Sequence, residues 1–330
     1  MRRIVMLGVL GFALAQGAAP TPAQSQERIN PMIPLLEQGL PIFGIQHPAF
    51  VAGRGGRGRG ADQGQTEPPP QPDLAQVARE TVEYSLGDYE LSSYSPQNAE
   101  RFAAYLRAIV AAGGSSRTHP FVAKIPIVHD NEEQAIPRLI EQLNTGLAVI
   151  EMQEVETVAE IDRVVSAVRF TSKGGTRPES GYELAAEYWG VSPAEYREKS
   201  GVWPLDPNGE VLISTIIESR EGVANARAIA AHPAVAVITV GAGTLGGVFS
   251  SRDAAGERVR DQAGFDAAVA QVLAACKEFN KSCAYPANNP AEVESLMGQG
   301  WNFFIMQRRD QAAFDAVETG YRISGRPRTP

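Results

Sequence analysis

Apolar residues in this chain gather in short runs, separated by longer stretches where they recur every three or four positions. The runs are PIFGIQ (41–46), TVEYSLG (81–87), FVAKIP (121–126), LAVIEM (147–152), VLISTII (211–217), VAVITVG (235–241), CAYPA (283–287) and FFIM (303–306). Most have the length and β-branched or aromatic content of strands covered on both faces. Between them lie helical patterns such as NAERFAAYLRAIVAAG (98–113), VAEIDRVVSAVRF (158–170) and FDAAVAQVLAACKEFN (265–280), and DQAAFDAVETGYRI (310–323) closes the series. Alternation of this kind over about 280 residues predicts a (β/α)8 TIM barrel with an extra C-terminal helix. An open doubly wound sheet is the alternative, but the GxGxxG turn expected after its first strand is absent.

Two segments interrupt the alternation. Residues 49–72, AFVAGRGGRGRGADQGQTEPPPQP, are rich in Gly and Arg and then in Pro, so they predict a loop without regular structure. The loop joins the first strand to the first helix and therefore belongs at the C-terminal mouth of a barrel. Residues 174–209 form an arm carrying Tyr182, Tyr188, Trp189, Tyr196 and Trp203. Such a patch predicts an interface or a packed lid.

Composition narrows the partners. The 330 residues carry a formal net charge of −8, which argues against nucleic acid or an anionic membrane as a bulk partner. The N-terminus, MRRIVMLGVLGFALAQGAAPTPAQ, has two arginines, an apolar core and then small residues and prolines. This three-part order predicts a signal peptide over residues 1–23 and a periplasmic or secreted protein whose single domain spans 24–330. In an oxidising compartment Cys276 and Cys283 could form a disulfide, but their spacing leaves the bridge open.

Candidate chemistry sits at strand ends. Glu218 follows VLISTII directly, and Gly241-Ala242-Gly243-Thr244 follows the next strand, the layout of a ligand site at the end of a parallel sheet. These pieces, in this order, resemble the HpcH/HpaI aldolase/citrate lyase family over residues 38 to about 322. The resemblance implies a (β/α)8 barrel that makes or breaks carbon–carbon bonds beside a 2-oxo acid, with a divalent metal, Mg²⁺ or Mn²⁺, holding an enolate. It casts Glu218, in Ile217-Glu218-Ser219, as a metal ligand, and the Gly241, Ala242, Gly243 and Thr244 turn as the substrate-binding segment. Thr244 stands where the family has a second metal-binding aspartate. Strand 2 of the family ends D-x-E-H, here Asp88-Tyr89-Glu90-Leu91, so Asp88 and Glu90 become catalytic candidates while Leu91 replaces the basic histidine. The family's arginine on strand 3 becomes Lys124, expected to steady the enolate, and its glutamine before the metal glutamate becomes Ile216. The resemblance also implies a homo-oligomer, a trimer of dimers in which the last helix, with Ala313, Phe314, Val317, Tyr321 and Ile323 along one stripe, packs on a neighbouring barrel.

Glu151 is a carboxylate inside a barrel strand, costly unless it is paired or coordinated. It either supplies the second metal carboxylate or forms an ion pair with Lys124 or Arg169. His47 and His129 lie after strands and are candidates for base work or for plain solvation; His119 and His232 read as loop residues at the opposite rim. Two functions follow: an exported carbon–carbon lyase acting on a 2-oxo acid or hydroxy-acid derivative, or a degenerate barrel that binds oxo acids without turnover. The export reading has a direct check. Edman sequencing of the protein recovered from its host should begin between Gln16 and Gln24, whereas an intact Met1 would refute it.

Overall fold

The computed structural model describes residues 28–47, 49–50, 72–83, 87–92, 94 and 96–326. The segment 1–23 and nearly all of the 49–72 loop lie outside the described residues. Among the described residues eight parallel strands make the barrel wall: β1 Ile42–Gln46, β2 Tyr89–Ser92, β3 Phe121–Ile125, β4 Val149–Met152, β5 Val211–Ile217, β6 Val235–Val240, β7 Ser282–Pro286 and β8 Phe303–Met306. Each pairs with its sequence neighbours, β8 returns to β1, and β4 meets β5 with Glu151 opposite Ser214, which closes the barrel. Helices between the strands form the outer layer, as the alternating pattern predicts.

The two-residue strand period sorts side chains into an inner and an outer core. Ile42, Tyr89, Leu91, Val122, Val149, Leu212, Val237, Ala284, Phe303 and Ile305 make one buried cluster inside the barrel. Residues of the opposite parity, such as Phe43, Ile45, Phe121, Ile150, Ile213 and Phe304, join the helices in the other. A short helix before β1, Met32–Glu37, buries Met32 and Ile33 in the inner cluster and closes the barrel below. Its entry is fixed by Glu210, whose Oε2 accepts from the backbone amides of Ile29 and Asn30 at 3.1 and 2.9 Å.

Seven of the predicted strands stand where the runs place them. The run at 81–87 does not form one: Thr81 to Glu83 end the helix Leu74–Glu83, and the strand begins at Tyr89. Thr81 is held there by Tyr105, whose hydroxyl donates to Thr81 Oγ1 at 3.0 Å. The aromatic arm also departs from expectation, because its rings serve neither as lid nor as exposed interface. Tyr182, Tyr188, Trp189 and Tyr196 are buried within the chain's own outer core. Trp189 Nε1 donates to the Gly146 carbonyl and Tyr196 Oη to that of Leu143, both at 2.8 Å, which satisfies each polar tip. Trp203 packs instead on the inner cluster.

The last helix, Gln311–Ser324, packs on its own barrel rather than reserving its stripe for a neighbour. Ala313, Val317 and Tyr321 are buried, and the Tyr321 ring stands edge-on to Phe43 with centroids 5.3 Å apart. Of the predicted stripe only Phe314 is part-buried and Ile323 exposed. The open question of the cysteines is answered: Cys276 and Cys283 are joined, linking the helix Gln262–Glu278 to β7.

Gly44 on β1 shows how tightly the inner core is built. The Tyr89 ring occupies the place where a Cβ on Gly44 would stand, and Tyr89 Oη donates to the Phe304 carbonyl at 3.1 Å. A ring so held cannot retreat without losing a buried hydrogen bond. Gly44→Ala should therefore cost at least about 2 kcal/mol by overpacking, read as a lowered urea midpoint. An unchanged midpoint would mean that Tyr89 is free to move.

Candidate functional site

With the lower end plugged, the described barrel opens at the C-terminal ends of its strands. There a cleft of ≈ 120 Å³ is lined by residues from most of the strands, with Lys124, Glu151 and Glu218 as its charged groups. Lys124 comes from β3 and Glu151 from β4, opposite each other in register and both of inward parity. Glu218 follows β5, at the turn into the helix Arg220–Ala231, where Ser219 caps by accepting from the Gly222 amide at 3.0 Å. The segment Gly241–Thr244 follows β6 and starts a short helix, Ala242–Val248, whose first amides have no partner within the helix.

The neighbours of each group decide its chemistry. Glu218 is buried, and its Oε1 accepts from the Glu154 amide at 3.2 Å. Gly241 makes room for it, since a Cβ there would come within 2.5 Å of Glu218 Oε2. Glu151 is buried, and its Oε2 has no hydrogen-bond partner among the described residues. Burial raises its pKa and the Glu218 charge raises it further, against the opposing pull of Lys124. No ion pair within 4.0 Å joins Glu151 to Lys124, and Arg169 caps the far end of the helix Val158–Val168. The structural ion pair considered for Glu151 is thus not formed among the described residues.

The positions taken from the resemblance divide cleanly. Leu91, Lys124, Ile216, Glu218 and Gly241–Thr244 all line this one cleft. Asp88 and Glu90 do not, because strand parity turns both outward while Tyr89 and Leu91 point inward. Asp88 precedes β2, accepts from the Phe43 amide at 2.8 Å and from Tyr321 Oη at 3.1 Å, and pairs with Arg326. It fastens the last helix to the barrel.

Glu90 lies behind the barrel wall, 3.4 Å from both His47 Nε2 and Arg309 Nη1. Burial drives its pKa up to about 7 despite Arg309. The same burial, with Arg309 adding to it, lowers His47 to about 3. His47 Nδ1 accepts from the Ala49 and Phe50 amides at 3.0 Å, so the neutral ring carries its proton on Nε2. His47 is therefore a packed core residue that orders the turn after β1, and it does not reach the cleft.

His129 stands on the rim. Its Nδ1 meets Glu160 Oε2 at 3.0 Å, and burial lowers its pKa less than Glu160, Glu156 and Asp130 raise it. Together with Glu154 and Glu156 it forms the one His/carboxylate group among the described residues whose ligand atoms lie within 4.8 Å of one another. None of the three lines the cleft.

Sequence reasoning missed Thr239, Val240, Pro286, Ile305 and Gln307, which complete the lining. Gln307 carried a usable signal, being the first residue past FFIM and polar. Thr239 is inward on β6, 3.1 Å from Ser214 Oγ across the barrel wall, and its parity could have been counted from Val237.

Residues 119–301, more than half of the chain, match the sequence profile of HpcH/HpaI aldolase/citrate lyase. The chain belongs to that family. Among solved structures it is similar to a family protein from Burkholderia cenocepacia J2315, with 19% identity, 84% of this chain and 92% of that one covered, and a TM-score of 0.61. An HpcH/HpaI aldolase from Desulfitobacterium hafniense DCB-2 follows at 14%, 83%, 88% and 0.57. The citrate synthase SbnG follows at 16%, 84%, 90% and 0.54. At such identities these likenesses speak for the barrel alone. No curated protein matches the chain.

The raised pKa of Glu90 has a testable sign. A carboxyl raised from 4.5 to about 7 stabilises the fold below the unfolded value, and that stability is lost as pH rises through about 7. Glu90→Gln keeps the shape without the charge. Its unfolding free energy relative to the parent should rise between pH 5 and pH 8 by up to about 3 kcal/mol. A difference that stays flat over that range in urea titrations would show that the carboxyl is ionised throughout.

Proposed function

We infer that the protein is an exported carbon–carbon lyase that acts on a 2-oxo acid or a hydroxy-acid derivative through a stabilised enolate. The observation that carries this reading is the meeting of Lys124, Glu151, Glu218 and the 241–244 amides in one cleft at the strand C-termini. A 2-oxo acid offers a carboxylate and an adjacent carbonyl oxygen, and bond cleavage beside the carbonyl leaves negative charge on that oxygen. The first amides of the helix Ala242–Val248, which have no partner within the helix, suit the carboxylate. Lys124 suits the developing charge, as a point charge without the bidentate fork of an arginine.

The cleft also fits a divalent cation such as Mg²⁺ or Mn²⁺. Two buried carboxylates face it, Glu151 Oε2 has no partner, and the charge of Glu218 works against the ionised form of Glu151. Oxygen donors of this type suit hard cations. Glu218 and Glu151 would hold the ion, which when bound supplies Lewis-acid polarisation of the carbonyl. Thr244 offers a hydroxyl rather than a carboxylate, so the ion rests on Glu151 for its second charge. Assembly into a homo-oligomer belongs to this reading through the family resemblance.

A second reading is favoured by one observation. Leu91, Ile216 and Thr244 line the cleft where the family has a base, an amide and an acid, so an oxo-acid binding protein without turnover is also consistent with the site. Pyruvate release from a panel of 4-hydroxy-2-oxo acids separates the two. The lyase predicts metal-stimulated release that falls roughly 10²-fold or more in Glu218→Gln, the scale for losing one charge-stabilising group. Saturable binding of oxo acids without release would establish the binding protein. By calorimetry Thr244→Asp should tighten Mn²⁺ binding, and Glu151→Gln should weaken it about as much as Glu218→Gln. A silent Glu151→Gln would remove Glu151 from the metal site.

A further inference from the structure

A larger cavity, of ≈ 340 Å³, lies at the other end of the molecule and has no part in the chemistry above. Its walls are the end of the helix Val158–Val168, the turn Phe170–Lys173, the end of the helix Pro193–Lys199 and the loop 205–207 that leads into β5. Because that first helix runs back from the mouth and the loop precedes a strand, the cavity opens beside the N-terminal ends of the strands.

Its polar lining is mainly cationic: Arg169, Lys173 and Arg197 face Asp206 as the only acid. Arg169 is exposed, and its guanidinium forms no ion pair among the described residues. Lys173 and Arg197 pair with Glu198 at 3.3 Å and Glu179 at 2.9 Å, acids outside the lining. Glu179 is already engaged by the Ser172 amide at 2.8 Å and by Thr171 Oγ1 at 3.2 Å. Solvent-accessible pairs of this kind are weak, so an anion with better geometry can recruit both cations. Ser200 adds a second, independent feature. It lines the cavity, is 3% exposed, and its Oγ has no hydrogen-bond partner among the described residues. A buried hydroxyl left unpaired is unfavourable, and a bound acceptor would satisfy it. Val168, Phe170 and Leu205 supply an apolar wall.

We propose that this cavity is a second ligand site, specific for a small organic dianion with a short carbon body, of the dicarboxylate or phosphomonoester class. Volume, three cations, one unsatisfied donor and an apolar wall are the features such a ligand needs. Asp206 disfavours larger polyanions and leaves an acceptor for a hydroxyl on the ligand.

Calorimetry at low ionic strength with succinate and with glycerol 3-phosphate tests the site and tells the two classes apart. At least one should bind saturably with a submillimolar Kd. Arg169→Gln should weaken that binding tenfold or more, and Ser200→Ala about fivefold, with circular dichroism confirming the fold of both. Lys124→Gln, at the mouth, should leave it unchanged. Failure of both anions to bind below 1 mM, or binding indifferent to Arg169→Gln, would overturn the proposal. Binding lost in Lys124→Gln would also overturn it, by assigning the anion to the mouth.

Discussion

Closure of the barrel through the pairing of β4 with β5 is the constraint from which the cleft follows. Once Glu151 lies opposite Ser214, the strand period fixes which side chains point inward on every other strand. Tyr89 and Leu91, Val122 and Lys124, Val149 and Glu151 then stack in successive layers, apolar below and charged above. A charged group is tolerated in the top layer because solvent or a ligand can reach it there, and Tyr89 and the Met32–Glu37 helix keep the lower layers dry. The outward residues obey different economics. Asp88, Glu90 and His47 are polar groups trapped between strands and helices, and each is satisfied by or held against a neighbour in the wall.

Much of this architecture is legible in the chain. The runs at 121–126, 147–152, 211–217, 235–241 and 303–306 are apolar for nearly their whole length, as strands buried on both faces must be, and each became a strand. The run at 81–87 misled because β-branched and aromatic residues also suit the buried side of a helix, and tertiary contact with Tyr105 decided the matter. Motif order located Lys124, Glu218 and the 241–244 turn, since a barrel keeps its functional residues just past strand ends. Asp88 and Glu90 lie outside the cleft for a reason visible only with strand boundaries in hand: motif letters carry no parity. The unpartnered Oε2 of Glu151 and the outer cavity depend on contacts distant in sequence, which no local pattern encodes.

On the proposed lyase reading, with the neutral Leu91, Ile216 and Thr244 in the lining, proton transfer would fall to carboxyl groups or to the substrate itself. Burial favours the neutral form of Glu151, with Glu218 adding to it and Lys124 opposing it, which makes this carboxyl able to donate as well as accept a proton. The acid that would bind a cation and the acid that would donate a proton cannot be the same residue at the same moment, because each role demands a different protonation state.

The short helix Met32–Glu37, anchored through Glu210, seals the barrel from below. On the proposed lyase reading, a molecule cleaved above that seal would have a single exit among the described residues. Its two fragments must leave in sequence, the outer before the inner, so kinetics at this site would be ordered by architecture, and the fragment nearest the floor would act as the competitive inhibitor.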